Sequence, residues 1–253
     1  MTWASLSDRV VTLARTPRLL LAQKLLRRVP LRPVDVGKLC FLQLNGLPNV
    51  PPAMLRGHAD VRFATADDLE ALARLQDRKP LFRERFAEGD RCIVALVDGR
   101  VIGYEWFSDN PVHHETAWGY RISIPGGYIY AYDAYIDPAY RNTGVWLRFK
   151  AYLGEWMAAR GKRGVLTFVD YGNWPSLRTH LRFGFEPTEN VFALRVVGLR
   201  LFRKARAVGT VVWSYLAWLA VHPSPPWFGM HPSPLHLHHA TRVLHLAVAV
   251  IHR

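Results

Sequence analysis

The residues AYRNTGV, positions 139–145, stand between an aromatic-rich apolar run and a segment of helical spacing. If this loop wraps so that the backbone amides of Thr143 to Leu147 point outward at the helix start, those donors and the helix dipole bind a pyrophosphate without a lysine. Gly144 would let backbone and phosphate meet closely, since it carries no Cβ. A glycine turn joining a strand to a helix also serves as an ordinary connection, so the loop alone leaves both readings open.

The elements that must hold this loop follow from hydrophobic period and turn chemistry. KLCFLQL (38–44) reads as a strand and NGLPNVPP (45–52) as a loop. VRFA (61–64) is a short strand. Thr65, followed by Asp67, Asp68 and Glu70, marks a helix start with a cap and first-turn acids, the helix running through Gln76 before a second near 80–88. Residues 91–107 form two apolar runs around Asp98-Gly99, the turn pair of a tight antiparallel hairpin. Residues 108–127 read as a loop with a strand in it. A strand over 128–138 stops at Pro138, a helix over 145–160 ends at Gly161, and a buried strand (164–170), a helix (174–183) and a final strand (190–201) complete the order. The pattern is that of a mixed α/β domain.

A chain of 253 residues with 50% apolar content holds one domain with a core plus additions: a basic arm, strand and loop (1–57), the compact domain (58–204) and an extension (205–253). The formal charge of +13 points to an anionic partner, which charge alone does not choose among nucleic acid, an acidic membrane surface or a phosphorylated cofactor. Residues 1–38 carry eight Lys or Arg against Asp8 and Asp35, a net +6. Leu6, Val10, Leu13, Leu20, Leu21 and Leu25 recur there at roughly helical spacing, giving a basic amphipathic helix that either lies on an anionic membrane or packs on the domain. No aromatic residue interleaves with its charges over 4–38, which disfavours nucleic acid. Arginines and lysines interrupt every candidate secretory core, and Cys40 and Cys92 lie in apolar runs without metal-like spacing, so the expectation is a cytoplasmic chain with reduced thiols, at most peripheral to an inner membrane. Residues 207–221 are uncharged but diluted by Gly209, Thr210 and Ser214, which favours a packed or interfacial helix over a span. The tail from His222 holds seven of the eleven histidines with no metal-ligand spacing, and reads as disordered or loosely packed.

YIDPAYRNTGVWLRFKAYLGEWMAARG, followed by NWPSLRTHLRFGFEP, resembles the GNAT acyltransferase superfamily, whose members carry an Arg/Gln-x-x-Gly-x-Gly/Ala loop after the fourth strand and an Asn-led helix ending in Gly-Phe. Arg141, Gly144, Asn173, Ser176, Gly184 and Phe185 fall in register, and the resemblance covers about residues 60–197. It implies a mixed, mostly antiparallel central sheet with flanking helices, whose fourth and fifth strands splay apart to admit an acyl-pantetheine arm. The arm would pair with backbone near Tyr135 and Ile136 as an added strand does, while Arg141, Asn142, Thr143, Gly144, Val145 and Trp146, with Asn173 and Ser176, would hold the rest of acetyl-CoA or another acyl-CoA. Trp146 departs from the family's Gly or Ala, and so raises acyl carrier protein as a second donor of the same arm.

The implied reaction is direct transfer of an acyl group, other than an aminoacyl group, to a primary amine, with no covalent enzyme intermediate and no metal. A backbone amide near Tyr135 or Ile136 would polarise the thioester carbonyl. Asp133 or Glu105 would take the amine's proton, unless Asp133 pairs with an Arg or Tyr to hold its strand and Glu105 simply faces solvent, and His180, where many members have a tyrosine, would protonate the leaving thiolate or only pack on its helix and contact the cofactor. The acceptor, a small molecule or an envelope precursor, would meet the aromatic region of Tyr104, Trp106, His113, His114, Trp118, Tyr130 and Tyr132. A non-catalytic acyl-CoA-binding or nucleic-acid-binding module with the same fold is the rival reading.

Overall fold

The computed structural model describes residue 26 and residues 34–55, 57–196 and 199–206. Residues 42–168 form one compact unit, and the described residues outside that range form another. The expected arm helix within 1–38, apart from residue 26 and the stretch from 34, and the apolar run and histidine-rich tail beyond 206 lie outside the described residues. Among the described residues no helix is long and apolar enough to cross a membrane.

Strand β1 (Val34–Asn45) leads to β2 (Asp60–Phe63), helices α1 (Leu69–Leu75) and α2 (Lys79–Ala87), then strands β3 (Arg91–Val97) and β4 (Arg100–Ser108). A small hairpin of β5 (Val112–Glu115) and β6 (Tyr120–Ser123) precedes β7 (Tyr128–Ile136), α3 (Val145–Ala158) and β8 (Gly164–Asp170). Helix α4 (Trp174–Phe183) and strands β9 (Glu186–Val196) and β10 (Leu199–Arg206) follow.

In the unit of residues 42–168 the strands run in the order β8-β7-β4-β3-β2. Every pair is antiparallel except β7 with β8. The Asp98-Gly99 turn has both residues at positive φ, 50° and 74°, as a tight hairpin requires. Helix α2 lies on one face of the sheet, where Phe82 stacks on Trp106 at 5.8 Å and Phe86 meets the same indole edge-on at 4.9 Å. Helix α3 covers the other face with Val145, Phe149, Leu153, Trp156 and Met157, a stripe at helical spacing. Trp156 meets Phe107 at 4.9 Å. The close approach of α3 depends on Gly154, where a Cβ would run into the carbonyl oxygen of Pro48. Cys92 is buried among these apolar groups and is a free thiol, as its surroundings led one to expect.

In the other unit the order is β10-β9-β1. Lys38 is buried there with its ammonium 4.4 Å from the Tyr171 ring centroid, and Arg195 donates to Asp35 at 3.1 Å. Cys40 is likewise free, and burial pushes its thiol up to about 11.

Two stretches differ from their sequence reading. Residues 108–127 contain a hairpin rather than one strand, with His113 opposite Ile122. The expected strand over 190–201 is two, since Val196 opposes Leu199 and the chain reverses between them. Apolar alternation runs on through that reversal, so periodicity alone reads a single strand.

The start of α1 is tied to β2 by a bidentate pair in which Arg62 donates to both oxygens of Asp68, at 2.7 and 2.8 Å. Asp68 also accepts from the Thr65 amide at 2.8 Å. The Arg62 guanidinium holds the Asp68 carboxyl below its usual range, against burial. Its stabilising contribution is therefore complete above an unfolded-state value near ~3.9 and lost as pH falls through the lower folded value. Asp68→Asn should cost about 1–2 kcal/mol at pH 7, and urea titrations should show the gap to wild type closing as pH drops below about 4.

Candidate active site

Strands β4 and β7 lose register at one point. Tyr104 opposes Tyr135 but Trp106 opposes Tyr132, so Asp133 and Ala134 together face Glu105. This is a β-bulge, and Asp133 sits in it at φ 44°, the left-handed region. Strict alternation would place Asp133 with Ala131 on the α3 face. The bulge turns its carboxylate to the α2 face, where Arg85 donates to Oδ2 at 2.5 Å and Arg78 to both oxygens at 3.0 and 3.1 Å. Arg85 is itself buried, and although burial opposes its charge, the Asp133 carboxylate outweighs that and raises its pKa. Gly103 completes the fit, because a Cβ there would lie 2.9 Å from the carbonyl oxygen of Tyr135.

Counted from β2, strands β7 and β8 are the fourth and fifth. Their parallel ladder covers only Tyr128 to Tyr130 against Gly164 to Leu166, while β7 continues through the bulge to Ile136. The splay expected between these strands thus begins just before the bulge. Tyr135, beyond it, stacks on Tyr104 at 5.9 Å.

The loop after β7 is fixed by its own polar groups. The Asp137 amide donates to Ile102 O at 2.9 Å, and its side chain accepts from the Ala139 amide at 3.0 Å. Thr143 Oγ1 donates to Tyr140 O at 2.7 Å, and Arg141 Nε to Ile136 O at 3.1 Å. Asn142 and Gly144 take positive φ, 65° and 89°, which brings the chain round into α3. Gly144 is the N-cap residue and no side chain caps the helix, so no capping group competes with an anion for the first-turn amides.

Trp146 does not fill that cradle with its ring, which packs one helical turn onward with the Lys150 ammonium 4.9 Å from its centroid. Lys150 is fully buried and donates to Glu105 Oε1 at 2.5 Å. The other Glu105 oxygen has no hydrogen-bond partner among the described residues. Glu105 therefore faces α3 directly across from the bulge, in an ion pair.

Asn173, Ser176 and His180 belong to the other unit. Asn173 caps α4 by accepting from the Ser176 amide at 3.4 Å. His180 Nδ1 lies 2.8 Å from Ser176 O, and because a carbonyl only accepts, Nδ1 carries the proton and the neutral ring keeps its lone pair on Nε2. The ring meets Phe185 edge-on at 5.0 Å, which explains the aromatic residue after Gly184.

The structure thus brings Asp133, Glu105, Tyr135, Ile136 and the 141–146 loop together at one end of β7. Arg78, Arg85 and Lys150 escaped the sequence reading. A signal existed for two of them: Arg85 shares the inward face of α2 with Phe82, and Lys150 interrupts the inward face of α3. Among the described residues no group of three or more His, Cys, Asp or Glu side chains is placed to hold a metal. Lys150→Met should destabilise the protein by about 3–5 kcal/mol, because it leaves Glu105 buried and unpaired. Adding Glu105→Gln should recover much of that loss, and a double-mutant cycle in denaturant measures it.

Comparison with solved structures gives likenesses with TM-scores under 0.5. A conserved protein of unknown function from Staphylococcus epidermidis is 11% identical over 72% of this chain and 69% of its own, with a TM-score of 0.46. A GNAT family N-acetyltransferase (YhbS) from Escherichia coli in complex with CoA is 28% identical over 55% of this chain and 72% of its own, with a TM-score of 0.37. The aminoglycoside N-acetyltransferase AAC(6')-Iy in complex with CoA is 23% identical over 50% and 91%, with a TM-score of 0.40. No curated protein matches the sequence. The family model for the acetyltransferase (GNAT) family matches residues 61–185, a stretch that holds β2 to α4, the bulge and the 141–146 loop. Through this stretch the chain belongs to the GNAT acetyltransferase family.

Proposed function

We propose that the protein is an N-acetyltransferase that moves the acetyl group of acetyl-CoA to a primary amine by direct attack within a ternary complex. The observation that carries this reading is the α3 N-terminus, uncapped behind a left-handed Gly144 and placed directly after the bulged end of β7. The amides from Asn142 to Trp146 would hold the pyrophosphate, with Arg141 at its edge. The pantetheine arm would lie along β7 where the β8 ladder has ended, pairing near Tyr135 and Ile136, and an amide there would take the oxyanion. The two arginines on Asp133 favour a role in holding the bulge over proton abstraction, and Lys150 does the same for Glu105. The acid role rests with His180 on the family resemblance alone, with Asn173 and Ser176 setting the start of its helix.

The donor choice turns on Trp146. With its ring directed onto Lys150, its amide stays with the helix start, which supports coenzyme A over acyl carrier protein as the donor.

Native mass spectrometry should find the chain with one bound CoA, and thiol release from acetyl-CoA should appear with a suitable member of an amine panel. Gly144→Val forces a branched side chain into φ 89° and should weaken CoA binding at least tenfold, whereas Arg141→Ala should weaken it only a fewfold. A wild-type chain that neither binds CoA nor releases thiol with any amine would refute the reading. For the acid role, His180→Ala should slow thiol release by roughly a hundredfold and His180→Tyr should restore most of it.

A further inference from the structure

A second cluster of polar groups lies on the α2 face of the sheet, opposite α3. The Tyr132 hydroxyl, one residue before the bulge, donates to Asp90 Oδ2 at 2.5 Å. His113 Nδ1 stands 3.5 Å from the same oxygen, and its ring is wedged against Tyr132 and Tyr130 at 4.3 and 4.9 Å. Asp90 and His113 are both more than nine-tenths buried. They open onto a hollow of about 510 Å³ whose polar walls are Glu88, Asp90, Ser108, Asn110, His113 and His114. That volume suits a small ligand, and its carboxylates suit a cation.

Burial alone would raise the Asp90 carboxyl, but hydrogen bonds from His113, Ser108 and Tyr132 outweigh it and hold the group below its usual range. Asp90 is thus a carboxylate at neutral pH. A carboxylate at Nδ1 fixes the proton there and leaves the lone pair of the neutral ring on Nε2. Apart from this 3.5 Å contact His113 has no polar partner among the described residues, so Nε2 is uncommitted.

Resting on the acetyltransferase reading, we infer that this hollow is the acceptor subsite and that His113, oriented by Asp90, is the base that deprotonates the acceptor ammonium. The acceptor enters as R–NH3+, drawn by Glu88. Nε2 of His113 takes one proton, and the freed lone pair attacks the thioester carbonyl. The C–N bond forms, the tetrahedral oxyanion collapses, and the C–S bond breaks with its electron pair leaving on sulfur. The thiolate takes its proton from the acid proposed above and the second nitrogen proton restores that acid, so the products are amide, free thiol and one proton that His113 returns to solvent. The donor arm would be held from the α3 side, and the amine arrives on the α2 side, where His113 packs on Tyr132, one residue before the bulge. Asp90 and Tyr132 are positioning residues.

The charged and titratable groups around His113 are Asp90 and Glu88 after α2, Arg85 on α2 behind Tyr132, Tyr130 and Tyr132 on β7, and His114 and Glu115 on its own hairpin. The full-length chain, with its histidine side chains labelled with 15N, is titrated by NMR with 1,4-diaminobutane and separately with glucosamine, with and without saturating CoA. Either amine should move the His113 ring signals, and the free protein should show the Nδ1–H tautomer. In thiol-release assays with acetyl-CoA and the amine that binds, His113→Gln should lower kcat at least a hundredfold and abolish the acid limb of the kcat/KM profile, with CoA affinity unchanged. Asp90→Asn should lower kcat about tenfold, leave KM nearly unchanged and move that limb to lower pH, which a purely structural loss would not do. The inference is overturned if neither amine moves the His113 signals, which needs no variant, or if His113→Gln turns over within threefold of wild type. Failure to bind CoA would instead sink the acetyltransferase reading, while the amine titration without CoA still reports on the hollow.

Discussion

A single carboxylate sets the geometry of β7. Asp133 occupies a left-handed backbone conformation that costs a residue with a Cβ about 1–3 kcal/mol, and such a conformation persists only where its surroundings over-determine it. Here the surroundings are Arg85 and Arg78, whose charge-assisted hydrogen bonds are each worth about 1.5–3 kcal/mol. The clamp therefore outweighs the strain, and the strand stays kinked. The Arg85 guanidinium carbon lies 4.8 Å from the Tyr132 ring centroid and 5.3 Å from that of Trp106, so the same side chain ties α2 to the sheet. Without the extra residue, Tyr135 and Ile136 would present their opposite faces and the edge of β7 would be aimed differently.

The bulge separates two chemically distinct faces. On the α3 side, Lys150 and Glu105 form a dry ion pair beneath Trp146, and the helix above it starts with uncapped amides. On the α2 side, Tyr132, Asp90 and His113 form a proton-sharing chain under an acidic hollow. Buried ion pairs of this kind add little net stability over apolar packing, because both charges must leave water. They do forbid alternatives: any slip in β7 would strand at least one charge in the core.

Burial also decides which hydroxyls stay neutral. Tyr132 is held protonated well above its ordinary range by burial, joined by the Asp90 carboxylate and opposed by Arg85. It can therefore donate to Asp90 across the neutral pH range.

The Asp98-Gly99 turn and the Gly144 turn were legible in the sequence because each is a local rule, a backbone conformation that few residue types supply, whereas Asn173 stood out only through the family resemblance and the structure makes it the cap of α4. The strand and helix order of a GNAT-like domain was legible from the apolar runs and turn residues, and the helical spacing of α3 with it. The bulge at Asp133 was not, because YIYAYDAYI alternates smoothly and nothing in it marks an extra residue; only the pairing against Gly103 and Glu105 does. For Asp133 and Glu105 the sequence offered titratable groups on the right strands, while the arginines and lysine that engage them come from helices 45–55 positions away. The meeting of Asp90, His113 and Tyr132 likewise joins a loop, an inserted hairpin and a central strand. Residue types and local spacing thus determined the elements and the glycine turn after β7, whereas long-range strand register decided which carboxylate became a clamp and which lies beside a histidine.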